Sequence, residues 1–117
     1  MLLPELIALI AGEVVCGNEL LSDLTVTECF AADLMSDVLA FSRPGALLIT
    51  GLSSPQSAHT ADVADMVAVL FVSGKRPAEP VLDLAREKGI PLLTTRMAMF
   101  EVCGRLFAAG LASAVRR

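Results

Sequence analysis

Three apolar runs of the sequence, residues 47–50, 67–72 and 91–94, each lead into a group of polar residues. An arginine binds a carboxylate or a phosphate through two parallel hydrogen bonds, and a glycine lets a ligand approach the backbone closely. If the runs are neighbouring parallel strands, the polar groups meet at the carboxyl edge of one sheet, where α/β proteins hold small ligands. The residues that we predict to bind a small anionic ligand there are Gly51, Ser53, Ser54, Gln56, Ser73, Lys75, Arg76, Thr94, Thr95 and Arg96.

Each of these polar groups also has an ordinary structural explanation. Ser53 or Ser54 can cap the helix that follows, and Thr95 can cap the next one, because a hydroxyl oxygen accepts a backbone N–H of a first helical turn. Lys75 and Arg76 can be solvated charges on a loop. The joint occurrence of three such groups favours a ligand more than any one group does alone, and both explanations stay open at this point.

Two further groups have residue types suited to acid–base or nucleophilic chemistry. Asp33 and Asp37 have the spacing of one helix face, where paired carboxylates can transfer protons, but a place at a helix start also explains them. Cys16 precedes Gly17 and Asn18, as in the thiolate loop of phosphocysteine transfer proteins, although the serine and threonine cluster and a nearby cation are missing. We predict that the chain is not an enzyme and has no catalytic residue, with phosphoryl transfer through Cys16 as the last alternative.

The cysteines and the histidine do not have the pattern of a metal site. Cys16, Cys29 and Cys103 are odd in number and widely spaced, no C-x-x-C pair is present, and His59 is the only histidine. Zinc sites and disulfide frameworks need closely spaced or paired ligands. We predict no metal and no cofactor, and thiols that pack as small hydrophobic side chains in a reducing, cytoplasmic environment.

Charge and hydropathy argue against nucleic acid and membrane as partners. The formal net charge is −4, whereas binding a phosphate backbone requires clustered lysine and arginine. The apolar amino terminus carries Glu5 and lacks the basic region of a secretory signal. No uncharged apolar run reaches the roughly 18 residues of a membrane helix.

The composition is unusually apolar for a chain of this size. Hydrophobic residues make up 55% of the 117 residues and charged residues 19%, whereas soluble domains average roughly 45–50% and about 25%. The length fits one domain, residues 1–117, with limited capacity to bury apolar surface. The surplus predicts a homodimer, and a protein partner is a second way to cover it.

Hydrophobic periodicity predicts the elements that position the polar groups. Residues 2–10 predict a short helix against the core or a partner, and residues 13–16 and 24–30 predict strands. Asp33 is placed to cap a helix over residues 33–40, and Thr95 to cap the closing helix. Further helices are predicted over residues 57–66 and between Pro77 and Gly89. The residues expected on the buried side of the closing helix are Met97, Phe100, Val102, Cys103, Leu106 and Phe107.

Strands and helices alternate from residue 46 to the closing helix. Alternation of this kind gives parallel strands joined by right-handed crossovers, and continuous apolar runs are typical of strands buried on both faces. The last strand is predicted over residues 91–94. The predicted fold class is therefore α/β, a single domain with a mainly parallel sheet flanked by helices.

Most of the sequence resembles a known family. GALLITGLSSPQSAHTADVADMVAVLFVSGKRP and LDLAREKGIPLLTTRMAMFEVCGRL are similar to the DRTGG domain family, and the similarity, with ADLMSDVLAF before them, spans residues 14–111. The resemblance implies a fold like the N-terminal domain of HPr kinase/phosphorylase, which is similar to the substrate-recognition domain of Mur ligases. Domains of this family occur alone or beside phosphotransacetylase or CBS modules and tend to dimerise. The stand-alone members are also encoded near hydrogenase and histidine-kinase-like components.

The sequence departs from the pattern that gives this family its name. Residues 50–54 read Thr-Gly-Leu-Ser-Ser where Asp-Arg-Thr-Gly-Gly would be sought, and the phosphate-binding loop G-x-x-x-x-G-K-[ST] of the kinase is absent. Kinase activity is therefore not expected. The function predicted from the sequence is a non-catalytic regulatory or ligand-sensing module that forms a homodimer, with a scaffold subunit of a hydrogenase- or kinase-associated complex as the alternative.

Overall fold

A six-stranded sheet forms the centre of the protein, which is described here by a computed structural model. The structure describes residues 1–116, apart from the side chains of residues 20–22. The strands are β1 Glu13–Cys16, β2 Glu28–Ala31, β3 Leu47–Thr50, β4 Ala68–Phe71, β5 Leu92–Thr94 and β6 Ala112–Ser113. Their order across the sheet is β1-β5-β4-β3-β2-β6, with β1 antiparallel to β5 and the other neighbouring pairs parallel.

Helices cover both faces of this sheet. They are α1 Leu3–Leu9, α2 Met35–Phe41, α3 Pro55–Val63, α4 Glu79–Lys88 and α5 Met99–Ala108, and a 3₁₀ helix spans Asn18–Asp23. Helices α2, α3 and α4 bury their apolar residues in the core on one face, and α1 and α5 do so on the opposite face. None of the helices described combines the length and the apolar character that crossing a membrane requires.

The apolar runs predicted to be buried strands form the middle of the sheet. Every residue of β3 and β4 is buried, and successive side chains alternate between the two cores. Leu48 and Phe71 face α2, α3 and α4, whereas Ile49 and Leu70 face α1 and α5. Burial on both faces explains why these strands are apolar without interruption. The predicted α/β class and mainly parallel sheet are confirmed.

The order of the strands creates a crevice between β4 and β5. From β2 to β5, each strand lies beside the previous one in the same direction, and the helices between them share one face. After β5 the chain returns along the opposite face through α5 to β6 at the far edge. The segments that follow β4 and β5 therefore leave the sheet towards opposite faces. This reversal, the switch point of the sheet, opens a crevice at the carboxyl ends of the two strands.

Two predicted helix caps are wrong. Helix α2 begins after Leu34 and α5 begins after Ala98, and neither helix is capped by a side chain. Asp33 and Thr95 lie one and three residues before those positions. The Asp33 carboxylate instead accepts hydrogen bonds from the Gly51 N–H and Thr50 Oγ1. The Thr95 hydroxyl bonds the Ile10 carbonyl and the Met97 N–H, so both side chains are used elsewhere.

The buried side of α5 is narrower than predicted. Val102 and Leu106 are buried in the core, but Phe100 is 92% exposed and Phe107 is 77% exposed. A helix that lies on a sheet buries one stripe of residues, and the stripe of α5 passes through Val102 and Leu106. The prediction that both phenylalanines are buried is therefore wrong.

Element boundaries differ from the prediction at several places. Strand β2 begins at Glu28 and not at residue 24, and α3 ends at Val63, before the predicted residue 66. Strand β6 follows the strand predicted to be the last. It has two residues, which are too few to carry a hydrophobic period, so only its pairing with β2 identifies it.

Candidate functional site

A cavity of about 350 Å³ lies in the crevice between the carboxyl ends of β4 and β5. Two arginines that the sequence predicted to bind an anion, Arg76 and Arg96, line this cavity. The cavity lies at the switch point of the sheet, and open α/β sheets bind small ligands at such points. The lining residues are Ala11, Glu13, Gly74, Arg76, Thr94, Thr95, Arg96 and Met97.

Backbone hydrogen bonds join the two loops that form the crevice. The Ser73 N–H donates to the Met97 carbonyl at 2.8 Å, and the Gly74 N–H donates to the Thr95 carbonyl at 2.9 Å. The φ angles of Ser73 and Gly74 are 59° and 72°, a left-handed conformation that is strained for serine. These N–H groups are used within the protein, so they do not form an anion-binding turn.

The threonine hydroxyls at the end of β5 are also used within the protein. Thr94 Oγ1 donates to the Lys75 carbonyl at 2.7 Å. Thr95 Oγ1 donates to the Ile10 carbonyl at 2.8 Å and accepts the Met97 N–H at 3.2 Å. Because a hydroxyl has one hydrogen, neither threonine has a donor left for a ligand. The threonines shape the crevice, and its donors to an anion are the guanidinium groups.

Three charged side chains lie together in the crevice. Arg76 donates from Nη1 to Glu13 Oε2 at 3.2 Å and from Nη2 to Glu13 Oε1 at 3.3 Å. This contact lowers the pKa of the Glu13 carboxyl and raises the pKa of Arg76, and the charge of Arg96 lowers the Glu13 pKa further. Arg96 forms no ion pair within residues 1–116. The crevice is therefore net positive in a chain whose net charge is −4.

The polar residues after β3 lie at the same edge of the sheet but do not line this cavity. The Gly51 N–H donates to Asp33 Oδ1 at 2.7 Å, and Thr50 Oγ1 donates to the same oxygen at 3.2 Å. The Asp33 carboxylate thus accepts the backbone N–H of Gly51 that was predicted to bind an anion. Ser54 precedes α3 without capping it through its side chain. The predicted residues that do not line the cavity are Gly51, Ser53, Ser54, Gln56, Ser73 and Lys75.

The acid–base and nucleophile alternatives do not assemble into a site. Asp33 lies before α2 and Asp37 lies within it, so they are not on a common helix face. Cys16 is buried, its Sγ donates to the Leu82 carbonyl at 4.0 Å, and burial raises the pKa of its thiol. A raised pKa keeps a thiol protonated and unreactive at neutral pH. Within the described part of the chain, no three His, Cys, Asp or Glu residues come together to hold a metal.

A second cavity, also about 350 Å³, lies between α5 and the β2–β6 side of the sheet. We call it the apolar groove. Burial, with a contribution from Cys103, raises the pKa of the Cys29 thiol to about 12, so its thiol stays neutral near neutral pH. The groove is lined by Cys29, Phe30, Ala31, Ile49, Cys103, Leu106, Phe107, Leu111, Ala112, Ser113 and Val115.

Glu13, which contributes the negative charge of the crevice, was not among the residues predicted from the sequence. The predicted residues all follow strands, whereas Glu13 is the first residue of strand β1. Because β1 is antiparallel to β5, its first residue lies opposite Thr94, at the carboxyl edge of the parallel strands. An acidic residue at the start of the run EVVC is the only signal in the sequence, and it points to the crevice only when the strand direction is known.

Comparison with known proteins identifies the family. A family model described as the DRTGG domain matches residues 5–109, so the chain belongs to the DRTGG domain family, as its sequence predicted. No curated protein sequence matches the chain.

A solved structure has the same fold. It is the crystal structure of the CBS and DRTGG domains of the regulatory region of Clostridium perfringens pyrophosphatase, complexed with the activator diadenosine tetraphosphate. The similarity has a TM-score of 0.73 at 16% sequence identity, and it covers 98% of this chain and 50% of that chain. The chain therefore spans about half the length of the matched structure.

Proposed function

We propose that this DRTGG domain is a non-catalytic regulatory module that senses a small anionic ligand. The ligand binds in the crevice between the carboxyl ends of β4 and β5. Arg96 and Arg76 hold its negative charges, Lys75 adds positive charge on the adjacent loop, and Thr94 and Thr95 fix the shape of the site. The observation that carries the proposal is the cavity of about 350 Å³ that Arg76 and Arg96 both line at the switch point of the sheet.

The nature of the related structure supports an anionic ligand. The regulatory region of the Clostridium perfringens pyrophosphatase combines CBS and DRTGG domains and is complexed with diadenosine tetraphosphate, a phosphate-bearing activator. A DRTGG domain is thus part of a region that responds to a polyanion there. By analogy, binding in this chain would alter how the domain contacts its own copy or a partner.

Titration calorimetry with two probes, inorganic pyrophosphate and diadenosine tetraphosphate, tests this proposal. Arg96→Ala removes the guanidinium that has no ion pair within the described chain, so we expect binding to weaken by about tenfold or more. Arg86→Ala is the matched control, because Arg86 is an exposed arginine on α4 whose ion pairs with Glu79 and Asp83 lie outside the cavity. Equal affinities for the two variants, or no binding to the unaltered protein, would reject the ligand-sensing role.

Homodimerisation through α5 is the second part of the proposed function. Phe100 and Phe107 are exposed and lie seven residues apart, which is two helical turns, so they share one side of α5. Phe107 also lines the apolar groove, which extends the apolar surface. Large exposed aromatic side chains of this kind are typical of association surfaces. The same surface would serve a protein partner if the domain acts as a scaffold subunit.

Sedimentation equilibrium distinguishes these forms of association. We expect a mass of about twice the 12.3 kDa chain for the unaltered protein and a monomer for the double variant Phe100→Ser/Phe107→Ser. A dimer that persists in the double variant contradicts the α5 surface. A monomeric unaltered protein that co-purifies from its host in a stable complex with another protein, without ligand, favours the scaffold role.

A further inference from the structure

Glu13 holds Arg76 in the same way as a ligand carboxylate would. Two parallel N–H···O contacts, at 3.2 and 3.3 Å, join the guanidinium to both carboxylate oxygens. Both side chains line the cavity, and Arg96 lines it beside them. This fork-to-fork geometry is the one with which arginine recognises a carboxylate or a phosphate. The chain therefore carries its own acidic group at the position where an external anion would bind.

The contact between Glu13 and Arg76 is easy to break. The Arg76 side chain is 58% exposed and that of Glu13 is 64% exposed, and ion pairs so open to water contribute little to stability. Glu13 is the first residue of β1, and its backbone is held by pairing with β5. Its side chain can therefore rotate into solvent while the strand and the crevice keep their structure. Nothing in the core has to move when Arg76 changes partner.

The balance of charge decides which anion can displace Glu13. A ligand with one negative charge replaces one carboxylate by another and gains no net attraction. A phosphoryl group carries between one and two negative charges near neutral pH and has three oxygens, so it can contact Arg76 and Arg96 together. Two guanidinium groups match such a group once Glu13 has left.

We propose that Glu13 is an internal competitor that selects phosphorylated ligands. Its carboxylate occupies Arg76 until a phosphoryl group, which offers more charge, displaces it and binds between Arg76 and Arg96, whereas a simple monocarboxylate does not. The inference rests on the proposed function, because it concerns the same crevice. It adds the ligand class and a residue that controls selectivity and affinity.

Calorimetry with inorganic pyrophosphate and with acetate tests this inference on three proteins. They are the unaltered protein, Glu13→Gln, and Asp83→Asn as the control. Asp83 forms an exposed ion pair with Arg86 at 3.2 Å on α4, so its substitution makes the same change of net charge outside the crevice. Removing a negative charge beside a bound anion strengthens binding, and we expect Glu13→Gln to bind pyrophosphate about tenfold more tightly. Asp83→Asn should stay within about twofold of the unaltered protein.

Acetate gives the second readout. We expect Glu13→Gln to bind acetate measurably and the unaltered protein not to bind it. If the unaltered protein binds pyrophosphate and Glu13→Gln binds it no more tightly, Glu13 does not compete, and the proposed ligand site survives without this inference. If Asp83→Asn gains as much affinity as Glu13→Gln, the effect is one of net charge and the inference is also wrong. If neither anion binds to any of the three proteins, the inference fails, and the proposed function fails with it when diadenosine tetraphosphate also does not bind.

Discussion

Thr95 joins three parts of the crevice through one hydroxyl group. Thr95 is 3% exposed. Its hydroxyl donates to the carbonyl of Ile10, which follows α1, and accepts the N–H of Met97, in the loop towards α5. A threonine directly after a strand looks like a helix cap in the sequence. Its true partners are far away in sequence or outside the helix, so its role as a link became visible only in the folded chain.

Replacing Thr95 by valine tests this role. Thr95→Val keeps the shape of the side chain but leaves a carbonyl and an N–H without their partner, and we expect a loss of about 1–3 kcal/mol in the free energy of unfolding. Thr95→Ser keeps the hydroxyl and should lose less. Urea denaturation of the two variants measures the difference, and equal stabilities would contradict a role for the hydroxyl in holding the crevice.

Asp33 has a similar linking role at the exits of β2 and β3. Its Oδ1 accepts hydrogen bonds from the Gly51 N–H and from Thr50 Oγ1, and the Thr50 side chain is buried. Asp33→Ala removes the acceptor, so we expect a loss of about 1–2 kcal/mol in the free energy of unfolding. Asp33→Asn keeps an acceptor oxygen and should cost less than half as much. If asparagine is as harmful as alanine in thermal unfolding, the negative charge and not the acceptor matters, contrary to this account.

At the scale of elements, strands could be predicted better than helix starts. Strands β3 and β4 are buried on both faces, so their whole sequence is apolar and identifies them without knowledge of their neighbours. Helices α2, α3 and α5 begin without side-chain caps, although the sequence offered Asp33, Ser53 or Ser54, and Thr95 for these positions. Residue types that favour helix caps therefore did not predict where these helices begin.

Helix α5 shows why apolar residues do not by themselves reveal burial. Leu106 and Phe100 are both large and apolar, but only Leu106 faces the sheet. Leu106→Ala should lower the free energy of unfolding by about 2–5 kcal/mol, since it leaves a cavity in the core. Phe100→Ala should change it by less than about 0.5 kcal/mol.

Denaturant unfolding at a dilution where the unaltered protein is monomeric makes this comparison, because association at higher concentration would stabilise the folded state. A large effect of Phe100→Ala under these conditions would show that Phe100 packs within its own chain. That result would contradict the exposed position of Phe100 and remove one of the two residues on which the α5 surface depends.

At the scale of the whole molecule, the parallel sheet could be predicted but the order of its strands could not. Alternation of strands and helices indicates the fold class. The return of the chain from β5 to β6 could not be predicted, because β6 has only two residues and is identified by its pairing with β2. This return places the switch point between β4 and β5. It therefore brings Arg76 and Arg96 into one cavity and leaves the residues after β3 outside it.

The same topology explains why Glu13 belongs to the site. Strand β1 is the only antiparallel strand in the described sheet, and it brings an acidic side chain to an edge otherwise formed by strand exits. The candidate site is thus partly readable from the sequence, through Arg76, Arg96 and the threonines after β5. The position of the competing carboxylate, that of Glu13, can be found only when the antiparallel pairing of β1 with β5 is known.

Mapping of the bound anion by NMR tests the central claim, that the crevice between β4 and β5 is the ligand site. A ¹⁵N-labelled protein titrated with inorganic pyrophosphate should show its largest amide shifts in residues 11–13, 73–76 and 94–97, the segments that form the crevice. Shifts that saturate there support the account. Shifts centred on the apolar groove or on residues 51–56, or no saturable shifts at all, would contradict it.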